Sequence, residues 1–320
     1  MISAALIVAY KRPQGVERVL KKLKGSRITR VYVAIDGPKS GQSNEASIEI
    51  LEILDKYSEK SDFEIYSWAR SENYGLAKSV ISAIDWFFEH ENAGIILEDD
   101  LEPTHAFVDF SNLMLLRYEY DNEVLLISGN QFFPELTTDK EVYFTHYPLI
   151  WGWATTAAKW GAIKTLILNR TQRPRRIVKP KVLGFWGIGN YRAHSKYVDS
   201  WAIPFAYGMI KTNFLCVLPP KNMVLNHGND DVATHTGNSL MRQAKIITEL
   251  PENSLFLENN RRNIAKKFDY YLEKSFYPIR NRNNLSLIKL SFLIISHKFY
   301  SDKTDRLIED IRSISSPKIK

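Results

Sequence analysis

Apolar positions along this chain form short unbroken runs that alternate with stretches of helical spacing. "SAALIVAY" is one continuous run, as a strand buried on both faces requires. In "GVERVLKKLK", Val16, Val19, Leu20 and Leu23 fall on one helical face, with Pro13 near the first turn. "RVYVAIDGP" predicts a second strand closed by a turn, "ASIEILEILDKY" a polar helix, and "FEIYSWARS" a third strand. "GLAKSVISAIDWFFEH" reads as an amphipathic helix and "AGIILEDD" as a fourth strand. "HAFVDFSNLMLLRYEY" and "EVLLISGN" add another helix and another strand. Strands alternating with helices of this length predict an α/β fold, a mainly parallel sheet flanked by helices on both faces.

The second half is less regular. It holds an aromatic-rich stretch "HYPLIWGWATTAAKW", a basic stretch "NRTQRPRRIVKPK" and a Gly/aromatic stretch "GFWGIGNY", none of which has a clear period. "KTNFLCVLPPKNMVLNHGNDDVATHTG" reads as strand, turn and polar loop. From Leu255 onward the pattern becomes helical and basic, with an apolar run "LSLIKLSFLIIS" too short to span a bilayer.

Composition narrows the class. With 320 residues, 44% hydrophobic and 25% charged, the chain suits one large α/β domain with an appendage, or two modest domains. A single cysteine, Cys216, excludes an internal disulfide framework and makes a reducing, cytoplasmic setting the expectation. The apolar opening meets "KRP" directly after Tyr10, so it suits a first core strand better than a signal or a span. The formal charge of +7 is uneven, since residues 255–320 hold 14 Lys/Arg against 7 Asp/Glu and so carry the whole excess. The expected organisation is a near-neutral body, residues 1–254, and a basic helical C-terminal extension, residues 255–320. A nucleic-acid binder would spread its basic charge over the body, and none is expected as partner.

In an open parallel sheet, ligands bind at the carboxyl ends of the strands. The first strand delivers Tyr10, Lys11 and Arg12 there, the second Asp36, the third Arg70 and Asn73, and the fourth Glu98, Asp99 and Asp100. Carboxylates at a strand end suit a hard divalent cation that bridges protein oxygens to phosphates. The plainer alternative is an acidic turn capping the helix that starts near Pro103. Neither a GxGxxG stretch nor a P-loop lysine motif is present.

"IILEDDLEP" resembles the "EDD" form of the Asp-x-Asp motif of GT-A (Rossmann-like) glycosyltransferases, in particular the N-acetylglucosaminyltransferase I type and related bacterial sugar transferases. "VAYKRP", "VAIDGP", "SENYGLAKSV", "WGWATTAAKW" and "NHGNDDVATHTG" resemble further segments of that type in the same order, over roughly residues 1–240. The resemblance implies a nucleotide-sugar half (1–130) and an acceptor half (131–254). It implies Asp100 as ligand of Mn²⁺ or Mg²⁺, with His235 of "ATHT" as a second ligand or phosphate partner. Asp99 would meet the ribose or bridge to the metal, and Tyr10 and Arg12 would hold the nucleotide. Asp36 would accept from the base, with Asn73 and Lys78 lying over the nucleotide. Trp151 and Trp153 would face acceptor sugar rings. The Trp-Asp motif that supplies the catalytic base in such enzymes is absent, because Ala202 follows Trp201. Asp199 is the nearest carboxylate, with Asp230 and Asp231 as rivals.

The implied activity is inverting transfer of a sugar from a nucleotide-diphosphate donor, a UDP-sugar in the first instance, to a glycan or lipid-linked acceptor in surface polysaccharide synthesis. A sugar-nucleotide pyrophosphorylase is the alternative enzyme, although its Gly-rich loop after the first strand is missing. A non-catalytic glycan-binding protein peripheral to a membrane is the alternative of another class. Basic residues interleaved with Tyr, Phe, Leu and Ile in residues 255–320 suit an anionic membrane surface on the cytoplasmic side. They suit a packed helical extension as well.

Overall fold

The computed structural model describes residues 2–138, 141–169, 178–228 and 262–276, together with residues 288 and 292. The predicted alternation is present in the first half. Its strands are β1 (Ala4–Ala9), β2 (Arg30–Ile35), β3 (Glu64–Ala69) and β4 (Ala93–Glu98), and its helices are α1 (Pro13–Leu23), α2 (Glu45–Ser58) and α3 (Leu76–His90). A short strand β5 (Leu101–Pro103), helix α4 (His105–Arg117) and strand β6 (Val124–Ser128) follow. The second half contributes β7 (Tyr143–Thr145), β8 (Trp153–Thr156), α5 (Ala157–Leu168), α6 (Pro180–His194), α7 (Ala202–Lys211), β9 (Leu215–Leu218) and β10 (Val224–Asn226). Beyond residue 261 come β11 (Asn263–Ile264) and α8 (Lys266–Phe276).

Among the described residues nine strands form one sheet in the order β11-β7-β9-β6-β8-β4-β1-β2-β3, and β5 pairs with β10 in a separate two-stranded ribbon. The block β3-β2-β1-β4 is wholly parallel, the order of one half of a doubly wound Rossmann-type sheet. β8 enters antiparallel between β4 and β6, and β7 lies antiparallel to β9. The sheet is therefore mixed, with its parallel block at one side.

Both faces of the sheet are covered, which is why β1 and β2 read as unbroken apolar runs. Alternate residues of β1 serve different cores. Ala5, Ile7 and Ala9 join Val16, Val19 and Leu20 of α1, Ile50 of α2 and Phe107 of α4. Ala4, Leu6 and Val8 join Val80, Ile84 and Phe87 of α3 with residues of α5, α6, α7 and α8.

Three expectations are corrected. The Gly/aromatic stretch lies inside a regular helix, α6. Its glycines lower intrinsic helix propensity, but Gly189 lets α6 approach α7 so closely that a Cβ there would sit 2.9 Å from Ile203. Residues 263–276, expected in the basic extension, pack as part of the body, because β11 pairs with β7 in the main sheet and α8 buries Phe268 and Leu272 in the core. The acids after β4 do not cap a helix; Thr104 caps α4, its side chain accepting from the Phe107 N–H at 3.3 Å.

Candidate functional site at the strand ends

The backbone ladder of the parallel block runs one residue past each strand. The N–H groups of Asp36, Arg70 and Asp99 donate to the carbonyls of Ala9, Ile35 and Val8 at 2.9, 3.0 and 3.1 Å. These bonds line up the residues that follow β1, β2, β3 and β4 along one edge. The Tyr10 N–H then donates to Asp99 Oδ2 at 2.9 Å. Arg12 brings Nη1 to 3.3 Å from Asp99 Oδ1 and 3.8 Å from Asp100 Oδ2. Helix α1 starts against this corner. A Cβ on Gly15 would lie 1.9 Å from the Asp99 carbonyl oxygen, so only glycine permits the approach.

Crowding three carboxylates here has an electrostatic consequence. Asp99 is 6% exposed. Burial pushes its carboxyl up to about 6, against the Tyr10 N–H and the Arg12 guanidinium, while Asp100 pushes the same way as burial. Glu98 is raised as well, by burial first and then by the charges of Asp100 and Asp99. A divalent cation at this corner would relieve that repulsion. Among the described residues no three His, Cys, Asp or Glu side chains converge to hold a metal on protein ligands alone. An Asp100 carboxylate completed by phosphate oxygens and water is nonetheless an ordinary donor set for Mg²⁺ or Mn²⁺, so the corner fits such an ion.

A second group forms beyond β2 and β3. Asp36 is buried, its Oδ2 accepting from Asn73 Nδ2 at 3.0 Å and its Oδ1 from the Tyr74 N–H at 2.9 Å. Burial raises the Asp36 carboxyl despite these partners. Asp36 thus fixes the "SENYG" segment, and each of its oxygens already serves the protein before any base is met. Arg70 lies beneath, donating to the hydroxyls of Ser79 and Ser82 at 2.8 and 2.9 Å. Its guanidinium stands 4.2 Å from the Trp68 ring and 5.0 Å from the Tyr74 ring. Lys78 places its ammonium 3.7 Å from the Tyr74 ring centroid.

Asp199 comes from the second half of the chain to the start of α3. Its Oδ2 accepts from the Leu76 N–H at 2.6 Å and its Oδ1 from the Ala77 N–H at 2.9 Å. This carboxylate satisfies orphan donors of the first helical turn. Gly75, at φ +77°, makes room for it: a Cβ would meet Asp199 Oδ2 at 2.7 Å.

Behind the acids, the β5–β10 ribbon leads the chain to Gly228. The His227 N–H donates to the Asp100 carbonyl at 2.8 Å, and its ring lies 2.8 Å from Glu102 Oε2. Lys22 holds the other oxygen of Glu102 at 2.8 Å. Asp230, Asp231 and His235 lie outside the described residues.

The two tryptophans part company. Trp153 is 1% exposed and packs its ring against Trp201 and Phe205, so it belongs to the core and has no face left for a sugar. Trp151 is half-buried, its ring edge-on to Phe132 and its backbone N–H donating to Asn130 Oδ1 at 3.1 Å. Sequence reading missed Tyr74, Glu102 and His227. Tyr74 had a local signal, an aromatic before a glycine at a helix start. Glu102 and His227 are 125 positions apart, and only the ribbon pairs them.

No family model and no curated protein sequence matches the chain. Among solved structures that overlay part of the chain are a UDP-glucose pyrophosphorylase complexed with UDP-glucose and HddC from Yersinia pseudotuberculosis. The first shares 10% identity at a TM-score of 0.31, covering 53% of this chain and 82% of that one. The second shares 7% identity at a TM-score of 0.29, covering 49% and 78%. Overlaps this partial carry no argument about chemistry.

Proposed function

We propose that this protein is a metal-dependent glycosyltransferase of the GT-A type, using a nucleotide-diphosphate sugar with Asp99 and Asp100 at the centre of its donor site. The observation that carries this reading is the convergence, at one edge of a parallel block, of two neighbouring carboxylates, an arginine bridging them, and an Asp-Asn pair.

Arg12 would turn from the carboxylates to the donor phosphates, which offer its planar fork the same geometry. Asp99, held by the Tyr10 N–H, would orient the ribose. The Asp36–Asn73 pair fixes the segment that carries Tyr74, whose ring and the Lys78 ammonium would close over the nucleotide. A divalent cation held by Asp100, with His235 as a further ligand, would neutralise the leaving diphosphate. The acceptor hydroxyl attacks the anomeric carbon as the nucleoside diphosphate departs, and its proton passes to a base. Asp199 has both oxygens engaged at α3, and we assign it to positioning that helix. Asp230 and Asp231, the rival acids of "GNDD", are then our candidates for the base.

One observation favours the pyrophosphorylase alternative. Nucleotidyl transfer needs no base for an acceptor hydroxyl, and both oxygens of Asp199 are already engaged by N–H groups of α3. A panel of nucleotide sugars with Mn²⁺ separates the readings. Thermal stabilisation by one of them, with slow release of nucleoside diphosphate, supports the transferase. Release of nucleoside triphosphate only when pyrophosphate is added supports the alternative. No stabilisation by any nucleotide sugar would remove both.

A further inference from the structure

Helix α8 sorts its side chains by charge. Successive residues turn by about 100°, so Lys266, Tyr270, Lys274, Lys267 and Tyr271 fall in that order within an arc of about 140°. Phe268, Leu272, Asp269 and Glu273 occupy the opposite arc. The inward arc is fully used: Phe268 and Leu272 are 0% and 2% exposed. Asp269 accepts from the Thr145 hydroxyl. Glu273 accepts from the Tyr147 hydroxyl at 3.1 Å and pairs with Lys179 at 3.1 Å. Both acids of the helix are thereby turned to the body, and the three lysines stay in solvent. Between them Tyr270 and Tyr271 are 51% and 41% exposed, their rings in edge contact at 5.6 Å. Lys179, its charge already met by Glu273, lies 5.5 Å from the Tyr270 ring.

We propose that this face of α8 is a docking surface for an anionic lipid bilayer. The lysines would meet headgroup phosphates and carboxylates, and the two tyrosines would lie at headgroup level, where a ring with a polar tip is favoured. Charge complementarity argues for an anionic partner, since the outward arc carries three cations and no acid. The tyrosines argue for a lipid surface over a dissolved polyanion, because a polyanion would use the lysines and leave the rings in water. The proposal is independent of the donor-site reading. α8 follows edge strand β11, whereas β1, β2 and β3 lie at the other side of the sheet, so docking leaves their ends open.

The test is co-sedimentation of the full chain with phosphatidylcholine vesicles, with and without about one-third phosphatidylserine, at low and high salt. The expected result is binding to the anionic vesicles alone, weakened by salt as screening shortens the reach of each charge. Lys266→Gln, Lys267→Gln and Lys274→Gln combined should reduce partitioning by about tenfold or more, with an unchanged melting temperature because all three are exposed. Tyr270→Ser with Tyr271→Ser should reduce the binding that persists at high salt. Undiminished binding of the lysine variant would overturn the proposal. So would equal binding to neutral vesicles, or lysine-dependent binding to heparin with none to vesicles.

Discussion

Asp99 and Asp100 are neighbours with different surroundings, and variants should separate them. Asp99 is walled in by Tyr10, Arg12 and the first turn of α1, whereas Asp100 keeps 21% of its side chain exposed. Asp100→Ala should abolish Mn²⁺-dependent binding of nucleoside diphosphate in calorimetry and leave the fold intact. Asp99→Ala should weaken it less. Undiminished metal-dependent binding by Asp100→Ala would remove Asp100 as the ligand. The Asp99 carboxyl, raised from 3.8 to about 6, also predicts a pH effect. Between those values the folded protein binds the proton more tightly than the unfolded chain, so Asp99 stabilises the fold below about pH 4 and that contribution is lost as pH rises through about 6. Asp99→Asn in metal-free protein should therefore gain melting temperature relative to the parent across that window. A constant difference between the two would contradict the assignment.

At the scale of elements, the start of α3 depends on a residue more than a hundred positions away. Asp199→Ala leaves the Leu76 and Ala77 N–H groups to water and should cost about 1 kcal/mol, the usual worth of a helix cap. Gly75→Ala forces a side chain into φ +77° and against Asp199, and should cost more than a compatible Gly→Ala change gains. Thermal or urea melts of the two variants and their double would read this directly, and the double should fall short of the sum because both act on one contact. As a positioning residue, Asp199 should also tune donor affinity, since α3 carries Lys78 and continues from Asn73 and Tyr74. Asp199→Asn that instead keeps donor affinity and loses transfer by about 10²-fold would mark it as the base. Loss of transfer in Asp231→Asn with donor binding retained would place the base there.

At the scale of the molecule, the body extends past residue 254. β11 adds to the edge of the sheet and α8 roofs the core through Phe268 and Leu272, next to Phe133. A chain ending near residue 250 should accordingly melt at lower temperature or fail to fold, and it is not a clean means of removing a tail. Phe268→Ala should cost about 3–5 kcal/mol by the loss of a fully buried ring, measured by urea denaturation of the full chain. An effect under about 1 kcal/mol would mean that α8 is only loosely docked.

The parallel block was legible in the sequence because β1, β2 and β4 are buried on both faces and the helices beside them on one, so each writes its own period into the chain. The acids after β4 and the basic groups after β1 were legible for the same reason, since a strand that ends in polar residues marks where its edge must lie. The second half hid its order. β8 runs antiparallel to both of its neighbours, β4 and β6, and α6 carries glycines for close helix contact, so neither shows a clean alternation. The sequence also located charge without direction. It showed that residues 255–320 are basic, but only the packing of α8 turned its acids inward and its lysines out. The same holds for Asp199, Trp153 and Asp36. Each was a candidate by residue type and position along the chain, and each took its place from partners brought close by the fold: the N–H groups of α3, the rings of Trp201 and Phe205, the amide of Asn73. Local periodicity is a property of the chain, whereas the identity of a side chain's neighbours exists only once distant segments have packed.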